Sequence, residues 1–518
     1  MIPTAIPKGV RVLPPPEAAR LRWIQKKLLT VFQRWGFREV LTPTFEYLEV
    51  FAHEAGDGVY GTTFKFVDRQ TGLLLALRSD LTPQVARMVA STMRDHPLPL
   101  RLAYSASVFR HEEPQAGRQR EFFQAGVELI GSDRPEADAE MIAMTVEGCQ
   151  EAGLRHFQID VGQVEYLRGL LSALNPAPEL RRRILSALRR KDAVELELTL
   201  KPLPAEARLK EGIQHLTTLY GGEAILERAK AWAVTEQSRF ALENLTQVYT
   251  VLKTYGLADH IIIDLGETYA FDYHTGVVFQ VFTESLGYPI GSGGRYDNLI
   301  GQFGYPCPAT GFAFELEKVL AALEAEGILP RDQGPDFLII DFNPDKRQAL
   351  HIARTLRSKG YAVARDIIRR DLEGSVHYAR VSAIPRVIVL GLKEMPGDRL
   401  TLRDLTTGTA TTFSVAEFCQ QVTDGTVQWP TWSWSGPSGV TRARGRSLTP
   451  SASRSTPWPG TRAGTTRGTR WWWAPRRSSC ISSPRASFGK GRSASSATGW
   501  WLIFPASPTS STSLAAWP

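Results

Sequence analysis

Residues Phe109 to Gly131 read FRHEEPQAGRQREFFQAGVELIG, two apolar-rich runs joined by a charged link. Gln124 and Glu128 stand four residues apart in the second run. Side chains on an extended chain alternate with a period of two, so both point to one face, with Gly126 between them. An amide and a carboxylate separated by a residue without a side chain can grip a small polar ligand. Glu128 suits an ammonium group, because opposite charges attract strongly in a cleft of low dielectric. Arg110, at the end of the first run, carries the planar fork that clasps a phosphate at two points. The same spacing would equally give the polar outer face of an antiparallel sheet, and the pattern alone leaves both open.

Other reactive residue types point to plainer roles. His53, His96, His111, His156, His215 and His351 show no metal-ligand spacing. His274 adjoins Tyr273 and reads as lining rather than as a base. The four cysteines match no zinc or disulfide framework, which points to a reduced cytoplasm. Cys307 has no histidine partner in the sequence and reads as packing. GGRYDNLIGQFG is glycine-rich but lacks the Gly-Lys-Ser or Gly-Lys-Thr of a Walker loop. No Asp-Asp, Gly-Thr loop for phosphoribosyl pyrophosphate follows a strand. The basic runs at 181–183 and 189–191 read as a solvated helix face.

These residues need elements to hold them. Leu21, Ile24, Leu28 and Val31 recur at helical spacing and predict an amphipathic helix over residues 15–36. EVLTPTFEY predicts a strand, with Pro43 at an edge or interface position. FKFVD and LLLALR predict short strands around the turn RQTG, and LTPQVARMVASTM a helix with Pro83 in its first turn. Residues 136–153 predict a helix ended by Gly153. Residues 175–255 look like an inserted helical domain. Strands return at HIIIDLG, GVVFQVFTE and TGFAFEL. Residues 335–425 alternate strand, helix and strand, predicting a small domain with a largely parallel sheet. The 518 residues suggest about three domains. The start has no apolar stretch of a secretory signal, and no run approaches the roughly 18 apolar residues of a membrane span.

The formal charge of +8 would suggest a nucleic-acid or membrane partner. It is misleading, because Trp429 to Pro518 holds twelve of the 61 basic residues and no acid. The preceding residues keep 49 basic against 53 acidic groups and are mildly acidic. That tail also holds ten of the thirteen tryptophans and shows no periodicity. Tryptophan has one codon, so its neighbours constrain the DNA. One nucleotide out of frame, the stretch from Gln428 permits MANVVVVG-x-QWGDEGKGK, and GTRAGTTRGTRWWW permits GNNAGHTVVV. Both strings are similar to adenylosuccinate synthetase. Residues 429–518 are therefore expected to be an out-of-frame translation and, as a polypeptide, disordered.

Five ordered stretches together resemble the histidyl-tRNA synthetase family over roughly residues 5–425. GFREVLTPTFEY resembles motif 1, FRHEEPQAGRQREFFQ motif 2 and TGFAFELEKVL motif 3; DYHTGVVF and GSGGRYDNLIGQFG resemble the histidine-specific segments. The resemblance implies an α+β fold: a class II aminoacyl-tRNA synthetase-like core over residues 1–328, mainly an antiparallel sheet with helices, with a helical insertion at 175–255. A small α/β anticodon-binding-like domain over 335–425 would follow. It also implies a histidine pocket formed by Asp80, Thr82, Gln124, Glu128, Tyr273, Gly293, Gly294 and Tyr296, and residual phosphate contacts at Arg110 and Arg118. Asp80 stands where synthetases usually have Glu.

The ATP machinery departs further from that family. Thr268 to His274 align with the V-R-G-L-D-Y-Y segment of synthetases, and Tyr269 replaces its arginine. A phenol cannot neutralise charge developing at the α-phosphate, and losing one such donor typically costs about 10²–10³ in rate. Where synthetases end motif 3 in G-L-E-R, Glu315-Leu316-Glu317-Lys318 stands here. A histidine pocket beside a damaged ATP site resembles the non-catalytic paralogues that regulate ATP phosphoribosyltransferase. That implies a cytoplasmic, non-catalytic protein without cofactor or metal, required for the first step of histidine biosynthesis. Its expected partners are the short-form catalytic subunit of ATP phosphoribosyltransferase, a second copy of itself and L-histidine as effector. Neither tRNA nor membrane is expected as a partner. An active histidyl-tRNA synthetase is the alternative.

Overall fold

The strands of the N-terminal region are β1 (Arg38–Glu39), β2 (Phe45–Tyr47), β3 (Lys65–Val67), β4 (Leu74–Leu77), β5 (Leu100–Phe109), β6 (Glu121–Ile130), β7 (Phe157–Gln163), β8 (Tyr220–Gly221), β9 (Ile261–Asp264), β10 (Val277–Thr283), β11 (Gly291–Arg295) and β12 (Ala309–Glu315). The computed structural model describes residues 4–52, 63–111, 119–268, 273–328, 334–368, 370–394 and 397–426. His53, Arg118, Tyr269 and the tail lie outside the described residues.

Nine strands form one sheet in the order β1-β5-β6-β12-β11-β10-β7-β9-β8. Its pairings are antiparallel except β1 with β5 and β7 with β9. One face carries the helices Pro15–Arg34 and Pro135–Ala152, whose buried Ile24, Leu28, Val31, Met141 and Met144 meet Val127, Phe312 and Phe314. Each such side chain, fully buried, contributes about 1.5–3 kcal/mol. The second helix stops at Gly153, whose φ of 105° suits a residue without Cβ. The other face is covered near β5 and β6 by the helix Thr82–Thr92, where Leu81, Val85 and Val89 pack on Leu102, Tyr104 and Ile130.

EVLTPTFEY is not one strand. Pairing breaks between β1 and β2, which join different sheets, β2 lying beside β4 in a three-stranded sheet with β3. Arg78 donates to the carbonyls of Thr42 (3.0 Å) and Pro43 (3.4 Å), and Gln84 donates to that of Pro43 (3.0 Å). Side chains thus satisfy the carbonyls that a ladder would have used.

Residues 175–255 fold into the helices Pro178–Arg189, Ala193–Leu200, Ala207–His215, Ala224–Lys230 and Glu236–Thr254, the last opened by a Thr235–Ser238 capping box. They also contribute β8, which pairs with β9 and extends the large sheet. The run at 181–183 is a charged outer face: Arg182 pairs with Glu179 (2.5 Å) and Arg183 with Glu195 (2.7 Å).

The C-terminal strands β13 (Phe337–Asp341), β14 (Val363–Arg365), β15 (Arg386–Leu390), β16 (Arg399–Asp404) and β17 (Ala410–Ser414) form a second sheet, in the order β14-β13-β15-β16-β17. It is mixed rather than largely parallel. β13 is parallel to β14 and β15, but β16 and β17 return antiparallel. β13 and β15 are continuous apolar runs because both faces are covered: Ile352, Leu356 and Phe418 on one side, Ala379 on the other.

Candidate functional site: a glycine-floored carboxylate pocket

Glu128 is almost wholly buried, at 1% exposure, in the middle of β6. Three hydroxyls hold it. Thr82, in the first turn of its helix, donates to Oε1 at 2.7 Å. Tyr104 of β5 donates to the same oxygen at 3.0 Å, and Tyr296 donates to Oε2. Burial pushes the Glu128 carboxyl up to about 7, with the charge of Asp80 adding to the rise and the three hydroxyls opposing it. Burial, and then the Glu128 charge, push both phenols well above their usual range, so they remain donors.

Strand register explains the space around this carboxylate. Glu128 of β6 lies opposite Gly311 of β12, and Gly311 opposite Gly294 of β11. A Cβ on Gly311 would overlap the Glu128 carboxylate, and one on Gly294 would meet the His274 ring, 2.8 Å from Nε2. Gly126 faces Tyr104, whose hydroxyl would be 2.7 Å from a Cβ there. Glycines thus form the floor on which the polar groups converge.

Thr82, Glu128 and Tyr296 are joined directly. Tyr273 stacks on Tyr296, with ring centroids 5.6 Å apart, and His274 sits edge-on to Tyr273 at 4.9 Å. Gln124 is buried on the same face of β6, and its Oε1 has no hydrogen-bond partner among the described residues. Asp80 turns one oxygen back onto the backbone N–H of Leu81 at 2.6 Å; its other oxygen is 3.8 Å from Arg110. Gly293 is not part of the floor. Successive residues of β11 alternate, and a Cβ on Gly293 would enter the opposite face among Phe312 and Phe279. Arg110 donates to the Ser79 carbonyl at 3.1 Å and lies 5.0 Å from the Phe122 ring centroid.

Two members went unnamed in the sequence reading, Tyr104 and Gly311. Period-two alternation on RLAYSASVF puts Tyr104 on the correct face, but the partner register was needed to set it beside Glu128. Cys307 is buried and its thiol is pushed up by burial, which agrees with packing rather than nucleophilic chemistry.

The far end of β12 shows a different arrangement. Glu315 lies opposite Gln124 in the register and pairs with Lys318 at 2.9 Å. Lys318 also lies 5.5 Å from the ring centroid of Tyr288. The cation standing at the motif 3 arginine position is therefore already neutralised from within. Glu317 accepts from the Phe123 backbone N–H at 2.9 Å, and burial pushes its carboxyl up to about 7. It ties the helix Leu316–Ala325 to β6.

Residues 9–319 match the family model for histidyl-tRNA synthetase, and residues 336–424 match that for the anticodon-binding domain. A relative from Geobacter metallireducens named ATP phosphoribosyltransferase regulatory subunit is 45% identical over 390 residues, 75% of this chain and 90% of that protein. The chain belongs to the histidyl-tRNA synthetase-like family of ATP phosphoribosyltransferase regulatory subunits. Its members include a relative of the same name from Syntrophotalea carbinolica, 45% identical over 79% of this chain and 95% of that protein. A solved structure described as an ATP phosphoribosyltransferase regulatory subunit/histidyl-tRNA synthetase from Bacillus halodurans C superposes with a TM-score of 0.65 at 32% identity, covering 72% of this chain and 96% of that one. A histidine–tRNA ligase from Thermococcus kodakarensis is 36% identical over 77% of this chain and 94% of its own length. The family fold is thus a class II synthetase-like core followed by an anticodon-binding domain. Among the described residues no helix is long and apolar enough to cross a membrane.

Proposed function

We propose that this chain is a non-catalytic subunit of ATP phosphoribosyltransferase, serving the first, glycosyl-transferring step of L-histidine biosynthesis in the cytoplasm. It assembles with the catalytic subunit of that enzyme and with a second copy of itself, and it senses L-histidine. The observation that supports this reading is a buried carboxylate and amide, Glu128 and Gln124, beside a cation already paired within the chain. Glu128 and the partnerless carbonyl of Gln124 suit an α-ammonium group, while Lys318 is occupied by Glu315 and Tyr269 replaces the arginine of active synthetases. Arg110 and Arg118 would at most give residual phosphate contact. The mechanism is allosteric coupling: the subunit favours the active arrangement of its partner, and histidine, bound by Asp80, Thr82, Gln124, Glu128, Tyr273, Gly294 and Tyr296, favours the inactive one. Such coupling requires histidine to bind the two states with different affinity.

The test is to mix the chain with the catalytic subunit from the same organism and assay phosphoribosyl-ATP formation with and without histidine. Activity only in the mixture, falling as histidine is added, is the expected result. Histidine-dependent ATP–pyrophosphate exchange by this chain alone, without stimulation of the partner, would overturn it in favour of a synthetase, the reading to which the Thermococcus kodakarensis relative lends weight.

A further inference from the structure

A groove of ≈ 600 Å³ opens beside the pocket, outside every residue assigned to histidine. One wall is the first turns of the helix Glu236–Thr254, bringing Glu236 and Phe240. The other is the start of the helix Val164–Leu174, and the floor is Thr275, Gly276 and Arg295. Gln163 ties the walls together by donating to Asn244 at 2.9 Å.

The charges in the groove are lopsided. Arg295 offers no free positive charge to a visitor: it is buried and pairs with Asp138 and Asp297, each at 3.0 Å. Glu165 is engaged by Arg168. Asp133 and Glu236 are exposed and have no cation partner among the described residues. Phe240 is a large ring, 75% exposed among the described residues. Two unpaired carboxylates beside an exposed aromatic ring suit a guanidinium or ammonium group on a flexible stem, which can meet carboxylate and ring together. The groove lies open between the two helices, as fits a side chain presented by a polypeptide.

We infer that this groove docks a lysine- or arginine-bearing segment of the catalytic subunit, an inference that rests on the regulatory reading above. Its position links docking to sensing. The Thr275 N–H donates to the Arg295 carbonyl at 2.8 Å, and Arg295 directly precedes Tyr296, whose phenol holds Glu128. Gly276 lets the Arg295 side chain lie on the turn; a Cβ there would come within 2.9 Å of its Cδ. A segment seated on this floor therefore touches the strand end that presents Tyr296.

The full chain and the purified catalytic subunit should be titrated calorimetrically at low and at physiological salt. The double variant Asp133→Lys/Glu236→Lys is expected to weaken binding by at least about tenfold and to flatten its salt dependence, as loss of steering charge does. Phe240→Ala should weaken binding while leaving the salt dependence in place. Both variants should keep the unaltered affinity for histidine, measured in the same calorimeter. If the double variant melts early, Phe240→Ala decides. Unaltered affinity in folded variants overturns the docking site while leaving the regulatory reading standing. Failure of the unaltered chain to bind the catalytic subunit at all overturns both.

Discussion

Glu128 is a carboxyl group held by three hydroxyls in a site too dry for an isolated charge. Up to about pH 7 it keeps its proton in the folded chain, whereas an unfolded glutamate releases it near 4.5. A pKa raised by folding contributes stability that is fully present below about 4.5 and is lost as pH rises to about 7. Glu128→Gln should remove that slope from a urea-denaturation series without unfolding the protein. An arriving ammonium group needs the ionised form, so histidine affinity should rise between pH 6 and pH 8 by roughly tenfold, the rise in the ionised fraction of a carboxyl titrating at about 7. Free histidine titrates its own imidazole in this range, so the comparison with Glu128→Gln isolates the pocket's share. Histidine inhibition should fall in both Glu128→Gln and Glu128→Ala, and unchanged inhibition in either folded variant would remove this pocket from the mechanism.

At the scale of elements, the site is a matter of register. Gly311→Ala places a methyl group where the Glu128 carboxylate now lies. It should abolish histidine binding and lower stability by about 1–3 kcal/mol, the usual cost of overpacking. Calorimetry with histidine and urea denaturation check the two halves separately. Arg295→Met should cost more, about 3–5 kcal/mol, because it strands the buried Asp138 charge; a urea midpoint close to that of the unaltered chain would contradict this. The same scale marks what could be read in advance. The face shared by Gln124 and Glu128 was legible because period two needs no partner strand. Gly293 and Gly294 are adjacent, so one alone can face the ligand, and the resemblance assigned both. Tyr104 and Gly311 were hidden because their place depends on the pairing of β5 and β12 with β6. The sheet of residues 335–425 was legible in its parallel half, where βαβ spacing is local. Its antiparallel half was not, since strand direction across a turn leaves no mark in hydrophobic period.

For the whole molecule, the family match ends at residue 424, and nothing in the composition of 429–518 supports a core. A chain ending at residue 428 should melt within a degree or two of the full chain and regulate equally well, as expected if residues 429–518 are the out-of-frame translation that the sequence predicts. Differential scanning calorimetry and the mixed assay would show a large drop if the tail were integral. The glycine floor has a further consequence, for descent rather than for binding. A cavity shaped by missing atoms is easily closed, since any single-base change at the first or second position of a glycine codon adds a side chain or ends the chain. On the proposed function, opening an adenylating centre here would instead need Glu315, Lys318 and Tyr269 to change together. On that reading a lineage with this architecture loses its histidine site in one mutation and gains adenylating chemistry only through several, so its evolutionary exits are unequal in length.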